Sequence, residues 1–262
     1  MMFRAFLAEW LPLSRRRFVV GTFGATAAVA ALGAVLTFVA SGGRGVYGNY
    51  PRPVELARAR GIGESLSAIS ILLGVVGLCV VAAALAGDYS HGTLRNQLVA
   101  QPHRLRLLLG KCLALAMFIA LVVLVAAVVS SSLSFVLAPM KGIPTDAWTS
   151  PAGLRELGKG YANNLVNAWG YGVLGALVAI VFRTPAASIS VGLAYVLPIE
   201  IIVTSIWSPA ADWLPGQLLQ NIANGGRGFA TSYGDAALRV LCYGAVAAVI
   251  TMSLFRLRDM TS

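Results

Sequence analysis

The sequence predicts an all-α integral membrane protein with six transmembrane helices, and three observations support that class. Of 262 residues, 58% are apolar and only 11% charged. With a mean hydropathy of +0.78, the chain is more apolar than a water-facing surface tolerates. Crossing a hydrocarbon core of roughly 30 Å takes about 20 apolar residues, and six runs of that order occur, at 18–40, 66–86, 112–138, 164–182, 186–207 and 237–255. Glu200 is the one charge away from the ends of these runs, as the cost of charge in lipid requires. The whole chain, 1–262, reads as one transmembrane domain.

Residues 1–17 form an amphipathic segment ahead of the first span. Ser14, Arg15, Arg16, Arg17 and Phe18 match the twin-arginine export pattern. The apolar run behind them is too long for a signal core, however, and five more spans follow, so the arginines are expected to anchor the first helix at the cytoplasmic face. Residues 42–48 read as a glycine-rich loop. Lys and Arg crowd close to the helix ends on the side holding Arg15, Arg16, Arg17, Arg95, Arg104, Lys111 and Arg183, whereas on the other side they spread over longer loops among six acids. That density makes the first side cytoplasmic and places both termini there.

Further along, Ser150-Pro151 has the pattern of an N-cap followed by proline at the first helical position, which predicts a short outer helix over 152–157. Between the fifth and sixth spans, Pro209, Trp213, Pro215 and the apolar Leu214, Leu218, Leu219 and Ile222 predict a short helix or half-helix at the outer interface, a depth that suits Trp207 and Trp213. Gly170, Gly172, Gly175, Ser188, Ser190 and Gly192 are small residues of the kind that let helices approach in lipid. Ser130, Ser131, Ser132 and Ser134 either bond back to their own helix or line water. Cys79, Cys112 and Cys242 fall within or at the end of apolar runs and are expected to be buried small hydrophobes rather than disulfide partners. His91 and His103 have no ligand-spaced Cys or carboxylate beside them, so no metal site is expected.

The segment 87–111 is basic and rich in hydrogen-bonding groups, yet it joins two of the most apolar runs. Gly87 is expected to end the second span, Gly92 to break the chain and Thr93 to cap a short helix over 94–101. On that helix Leu94 and Leu98 share one face, with Arg95 and Asn96 on another, and Pro102 stops it. An ordinary loop whose arginines meet lipid phosphates has the same composition.

The order Asp88, Gly92-Thr93-Leu94, Leu98, Pro102, Arg104 and Leu109-Gly110-Lys111 resembles the cytoplasmic signature of ABC-2 type permeases, the membrane subunits of a class of ABC exporters. The N-terminal stretch 7–17 is similar to the amphipathic segment that opens many of them, with Glu9 and Trp10 matching. Pro12 and Leu13 stand where that family usually has Lys and Leu, so the helix is expected to break early. Glu200 and Trp213-Leu214-Pro215 extend the resemblance, and six spans is the family's number.

The resemblance implies a type V exporter-like permease fold in which 88–110 is a coupling region docking on a separate ATPase. Leu94 and Leu98 would fill apolar pockets, while Asp88, Arg95 and Arg104 set the register and Lys111 leads into the third span. It also implies two ATPase subunits, which bind the ATP and magnesium, and a second permease chain, identical or homologous. The substrate path would lie between the two permeases, with Ser67, Ser70, Tyr195 and Glu200 as its candidates. A drug, peptide or lipid-like substrate would be exported by alternating access across a bacterial cell membrane. Membrane lipid is the remaining partner, and no nucleic acid is expected.

The chain lacks the glycine-rich phosphate loop of an ATPase, since Gly110-Lys111 is followed by Cys112 and has no glycine five residues before it. Metalloprotease and serine-hydrolase motifs are likewise missing, so it is expected to bind no cofactor and catalyse nothing itself. Glu200, two residues after Pro198, leaves three readings open: a bond to a neighbouring helix, a substrate or gating role, or proton coupling in an ion-driven secondary transporter.

Overall fold

The computed structural model describes residues 6, 10–45, 48–49, 51–90 and 104–257. Its architecture is all-α apart from a two-residue antiparallel pairing of β1 (Arg44–Gly45) with β2 (Gly48–Asn49), inside the stretch expected to be loop. Six helices are long and apolar enough to cross a membrane. They are α1 (Arg16–Val39), α4 (Ser70–Ser90), α5 (Arg104–Met140), α6 (Pro151–Phe182), the continuous pair α7 (Pro185–Ala194) and α8 (Glu200–Ile206), and α10 (Tyr233–Leu257). Between them lie α2 (Pro53–Leu56), a 3-10 turn at Ala59–Gly63, α3 (Glu64–Ala68), a 3-10 turn at Ser208–Asp212 and α9 (Pro215–Ala223).

Several ends differ from the sequence-based expectation. Gly87 does not stop the second span, because α4 runs on to Ser90, whose hydroxyl bonds back to the Gly87 carbonyl at 3.0 Å. That span begins at Ser70, since the backbone leaves helical geometry at Ile69 and separates α3 from α4. Ser150 does cap a helix, accepting the Gly153 amide at 3.1 Å, with Pro151 at its first position. No short outer helix results, because the same helix continues without a break into the fourth span. Tilted, overhanging helices need no loop where their polar residues leave the core.

The N-terminal turn at 10–13 ends where expected. The Ser14 amide bonds the Trp10 carbonyl at 2.9 Å, and Arg15 adopts an extended backbone before α1 starts. Leu13 is buried, and Trp10 lies edge-on to Phe118 of α5, where Phe18 and Phe23 of α1 also converge. The N-terminal segment thus packs on the start of the third span while Arg15, Arg16 and Arg17 stay exposed.

The centre of the bundle is the α4–α6 seam. The two helices run parallel, with Gly74 against Tyr171, Gly77 against the Ala168 carbonyl, Gly172 against Val81 and Gly175 against the Leu78 carbonyl. A Cβ at Gly77 or Gly175 would overlap backbone, so the seam is close-packed through missing side chains. Gly192 of α7 meets the other side of Leu78. At the far end, Trp148 is fully buried with Phe38, Leu56 and Ile62, and its indole N–H donates to the Leu56 carbonyl at 2.8 Å. Of the four serines of α5, Ser130 and Ser134 bond back to their own helix, and Ser134 also meets Ser65 of α3 at 2.9 Å.

Only Cys79 is partly buried. Cys112 and Cys242 sit on outward helix faces, which corrects the expectation of three buried thiols. Helices of this kind are apolar all round, so a cysteine in the run is as compatible with lipid as with the core.

Candidate functional site

Two places gather the residues singled out from the sequence. The first is built around a defect in the fifth span. Pro198 has no amide to donate and its ring crowds the carbonyl four residues back. The chain answers with a π-helical turn at Tyr195–Ile199 between α7 and α8, a wider winding that frequently marks functional positions. Immediately after it comes Glu200, 1% exposed.

Opposite stands the N-terminus of α9. Leu214 is extended and Pro215 opens the helix, so the first amides with no intrahelical partner are those of Gly216 and Gln217. Glu200 Oε1 accepts the Gly216 amide at 2.9 Å, and the Gln217 amide and the Tyr195 hydroxyl lie close to the same carboxylate. A Cβ at position 216 would collide with the carboxylate, so glycine is what allows the approach. A negative group at a helix N-terminus is also favoured by the helix dipole. Glu200 is therefore an N-cap supplied from another helix, the first of the three roles open to it.

The rest of α9 carries the polar contacts inward. Leu218, Leu219, Gln220, Asn221 and Ile222 are all buried, so this helix packs against protein on most of its surface. Leu219 fills the space left by Gly170 of α6. Ser70 Oγ donates to Gln220 Oε1 at 2.7 Å, Gln220 Nε2 reaches Asn167 Oδ1 at 3.4 Å, and Asn167 Nδ2 donates to the Ser70 carbonyl at 2.8 Å. This closed triangle joins α4, α6 and α9. Tyr171 reaches the Gly216 carbonyl at 3.4 Å just beneath it. Trp207 and Trp213, flanking the hairpin, are exposed as expected of interfacial rings.

Of the four candidates for a substrate path, Ser70, Tyr195 and Glu200 meet on this hairpin, while Ser67 is buried in α3 one turn away. Asn167, Tyr171, Gly216 and Gln220 were not singled out from the sequence. An Asn and a Gln in otherwise apolar stretches were the available signal, since buried amides need partners.

The second place is the shared end of the second and third spans, where Ser90 closes α4 and Arg104 opens α5. Lys111 Nζ forms an ion pair and hydrogen bond with Asp88 Oδ2, and Lys111 is 5% exposed. The pair ties the last turn of α4 to the second turn of α5, across the segment 91–103. Gly92, Thr93, Leu94, Arg95, Leu98 and Pro102 lie outside the described residues, as does Glu9.

No protein-family model matches this sequence, and the comparison with curated proteins finds no relative.

Proposed function

We propose that this chain is the permease subunit of an ATP-driven ABC-2 type exporter, working as a pair of permeases with two separate ATPase subunits. The observation that carries the reading is the Asp88–Lys111 pair, in which a buried lysine meets a half-buried aspartate. It clamps together the two spans flanking the segment in which the Gly92-Thr93-Leu94, Leu98, Pro102 and Arg104 signature falls. A segment held at both ends to membrane helices is suited to pass force, because displacement of the docked residues moves α4 and α5 together.

In this reading Leu94 and Leu98 dock in apolar pockets of the ATPase, and Arg95 and Arg104 fix the register by polar contacts. ATP and magnesium bind the partner, and this chain carries out no chemistry. Closure of the two ATPases opens the path between the permeases alternately to each side of a bacterial cell membrane, with both termini in the cytoplasm. The cargo is a drug, peptide or lipid-like molecule. Ion coupling through Glu200 has less support, since its carboxylate accepts the Gly216 amide of a neighbouring helix.

The test is co-purification. Leu94→Asp with Leu98→Asp is expected to abolish recovery of an ATPase subunit and ATP-dependent transport, while leaving the membrane-inserted chain intact. Undiminished recovery and transport would sink the reading.

A further inference from the structure

Two of the loop cations opposite the Asp88–Lys111 end are held by contacts between the outer segments. Arg227 pairs with Glu64 at 2.5 Å, and Arg239 bonds the Asp212 carbonyl and lies over the Trp213 ring at 4.3 Å. Four others are gathered differently. Arg58 and Arg60, at the 3-10 turn before α3, face Arg155 and Lys159 of α6 across an open cleft of about 480 Å³. Arg155 and Lys159 are one turn apart and so share a helix face. The one acid lining the cleft is Glu156, and it is paired with Lys159 at 2.7 Å. Arg60 bonds Glu64 at 3.2 Å. Among the described residues, neither Arg58 nor Arg155 has an ion-pair partner.

The floor under these cations is rigid. The 3-10 turn packs on α6, Gly61 sits so tightly on the Leu56 carbonyl that a Cβ would overlap it, and Leu56 and Ile62 are anchored by Trp148. Bringing two unpaired arginines together without a neutralising acid is unfavourable unless an anion completes the arrangement. Planar guanidinium groups match phosphate oxygens in two-point contacts.

Height identifies the source of the phosphate. With 32 residues, α6 is about 48 Å long at a rise of ~1.5 Å per residue, against a hydrocarbon core of roughly 30 Å. The next span starts three residues after Phe182, so nearly all the excess, on the order of 12 residues, overhangs at the Pro151 end. Arg155 and Lys159 fall in that overhang, at the level of lipid headgroups. An open, solvent-facing cleft holds a free ion weakly. A headgroup is already confined there by its acyl chains, so a modest electrostatic contact suffices.

We propose that the cleft between Arg58–Arg60 and Arg155–Lys159 is a binding site for the phosphate of an anionic phospholipid headgroup, whatever the chain transports. The experiment uses the full chain, purified in detergent and delipidated, with bound lipid counted by native mass spectrometry. Phosphatidylglycerol is titrated against zwitterionic phosphatidylcholine. Wild type is expected to prefer phosphatidylglycerol by roughly 10- to 30-fold, at about 1 kcal/mol per surface cation. Arg58→Gln with Arg155→Gln should remove the preference, while Lys141→Gln, an equal loss of charge per site in the neighbouring loop, should keep it. Both arginines are exposed, so an unchanged thermal transition verifies the fold. The proposal is overturned if the double variant keeps the preference or if Lys141→Gln loses it equally. It is also overturned if millimolar inorganic phosphate displaces the lipid, which would assign the cleft to a free anion.

Discussion

Glu200 Oε1 stands 2.9 Å from the Gly216 amide, so a buried carboxylate inside the fifth span is the N-cap of a buried helix. Gly216→Ala is expected to lower stability by about 1–3 kcal/mol, the usual range for forcing atoms into a packed site. Glu200→Gln, which retains an acceptor, should cost about 0.5–1 kcal/mol through lost charge at the helix terminus, and Glu200→Ala about 2–3 kcal/mol by stranding buried donors. Thermal unfolding of the three purified variants gives the order. If Glu200→Ala proved as stable as wild type, the cap would have no structural weight.

The Asp88–Lys111 pair predicts a non-additive pattern. Asp88→Asn alone leaves a lysine that is 5% exposed without its counter-charge, and is expected to cost roughly 3 kcal/mol. Adding Lys111→Met should recover most of that loss, because no uncompensated charge remains. A double-mutant cycle on thermal stability measures the coupling; simple addition of the two single effects would count against a buried pair.

The α4–α6 seam has no room for side chains at Gly77 and Gly175. Gly77→Val is expected to be severely damaging, with a loss above roughly 3 kcal/mol or failure to accumulate in the membrane. Gly158→Ala, where a Cβ meets nothing within 4 Å, should be neutral or slightly stabilising by about 0.5–1 kcal/mol through helix propensity. Expression level and unfolding temperature compare the two.

Sidedness is open to direct labelling. In a chain whose Cys79, Cys112 and Cys242 are replaced by serine, Lys141→Cys should react with a membrane-impermeant maleimide in intact cells. Arg183→Cys should react only after permeabilisation. Reversed labelling would invert the proposed orientation.

The six spans were legible because lipid imposes one rule on every residue of a run, and the rule is visible in composition. Their ends were less so. Ser150-Pro151 read as the start of a short outer helix over 152–157, with Gly158, Lys159 and Gly160 beyond it, yet the helix that Ser150 caps runs on into the core. The burial of α9 was hidden for a different reason. Pro209, Trp213, Pro215 and the apolar Leu214, Leu218, Leu219 and Ile222 gave it the look of an interfacial helix, and the partners that satisfy Gln220 are Ser70 and Asn167, far away in sequence. Glu200 looked solitary because its main partners are backbone amides, which no residue letter records. The same holds for Arg58 and Arg155, which only the folded chain brings to one cleft.

The placement of α9 also sets an order of assembly. Its nine residues are too few to cross a bilayer and carry two amide side chains into the interior. Its surfaces on α4, α6 and the fifth span are synthesised before it, and α10, whose Ala236 packs with Leu218 and Ile222, follows it. Insertion of the first five helices therefore leaves a vacant slot lined by Ser70, Asn167 and Glu200, which α9 fills as a keystone together with α10. Biogenesis of this chain includes a folding step inside the membrane, and a variant that weakens the slot should stall with all its spans inserted and α9 undocked.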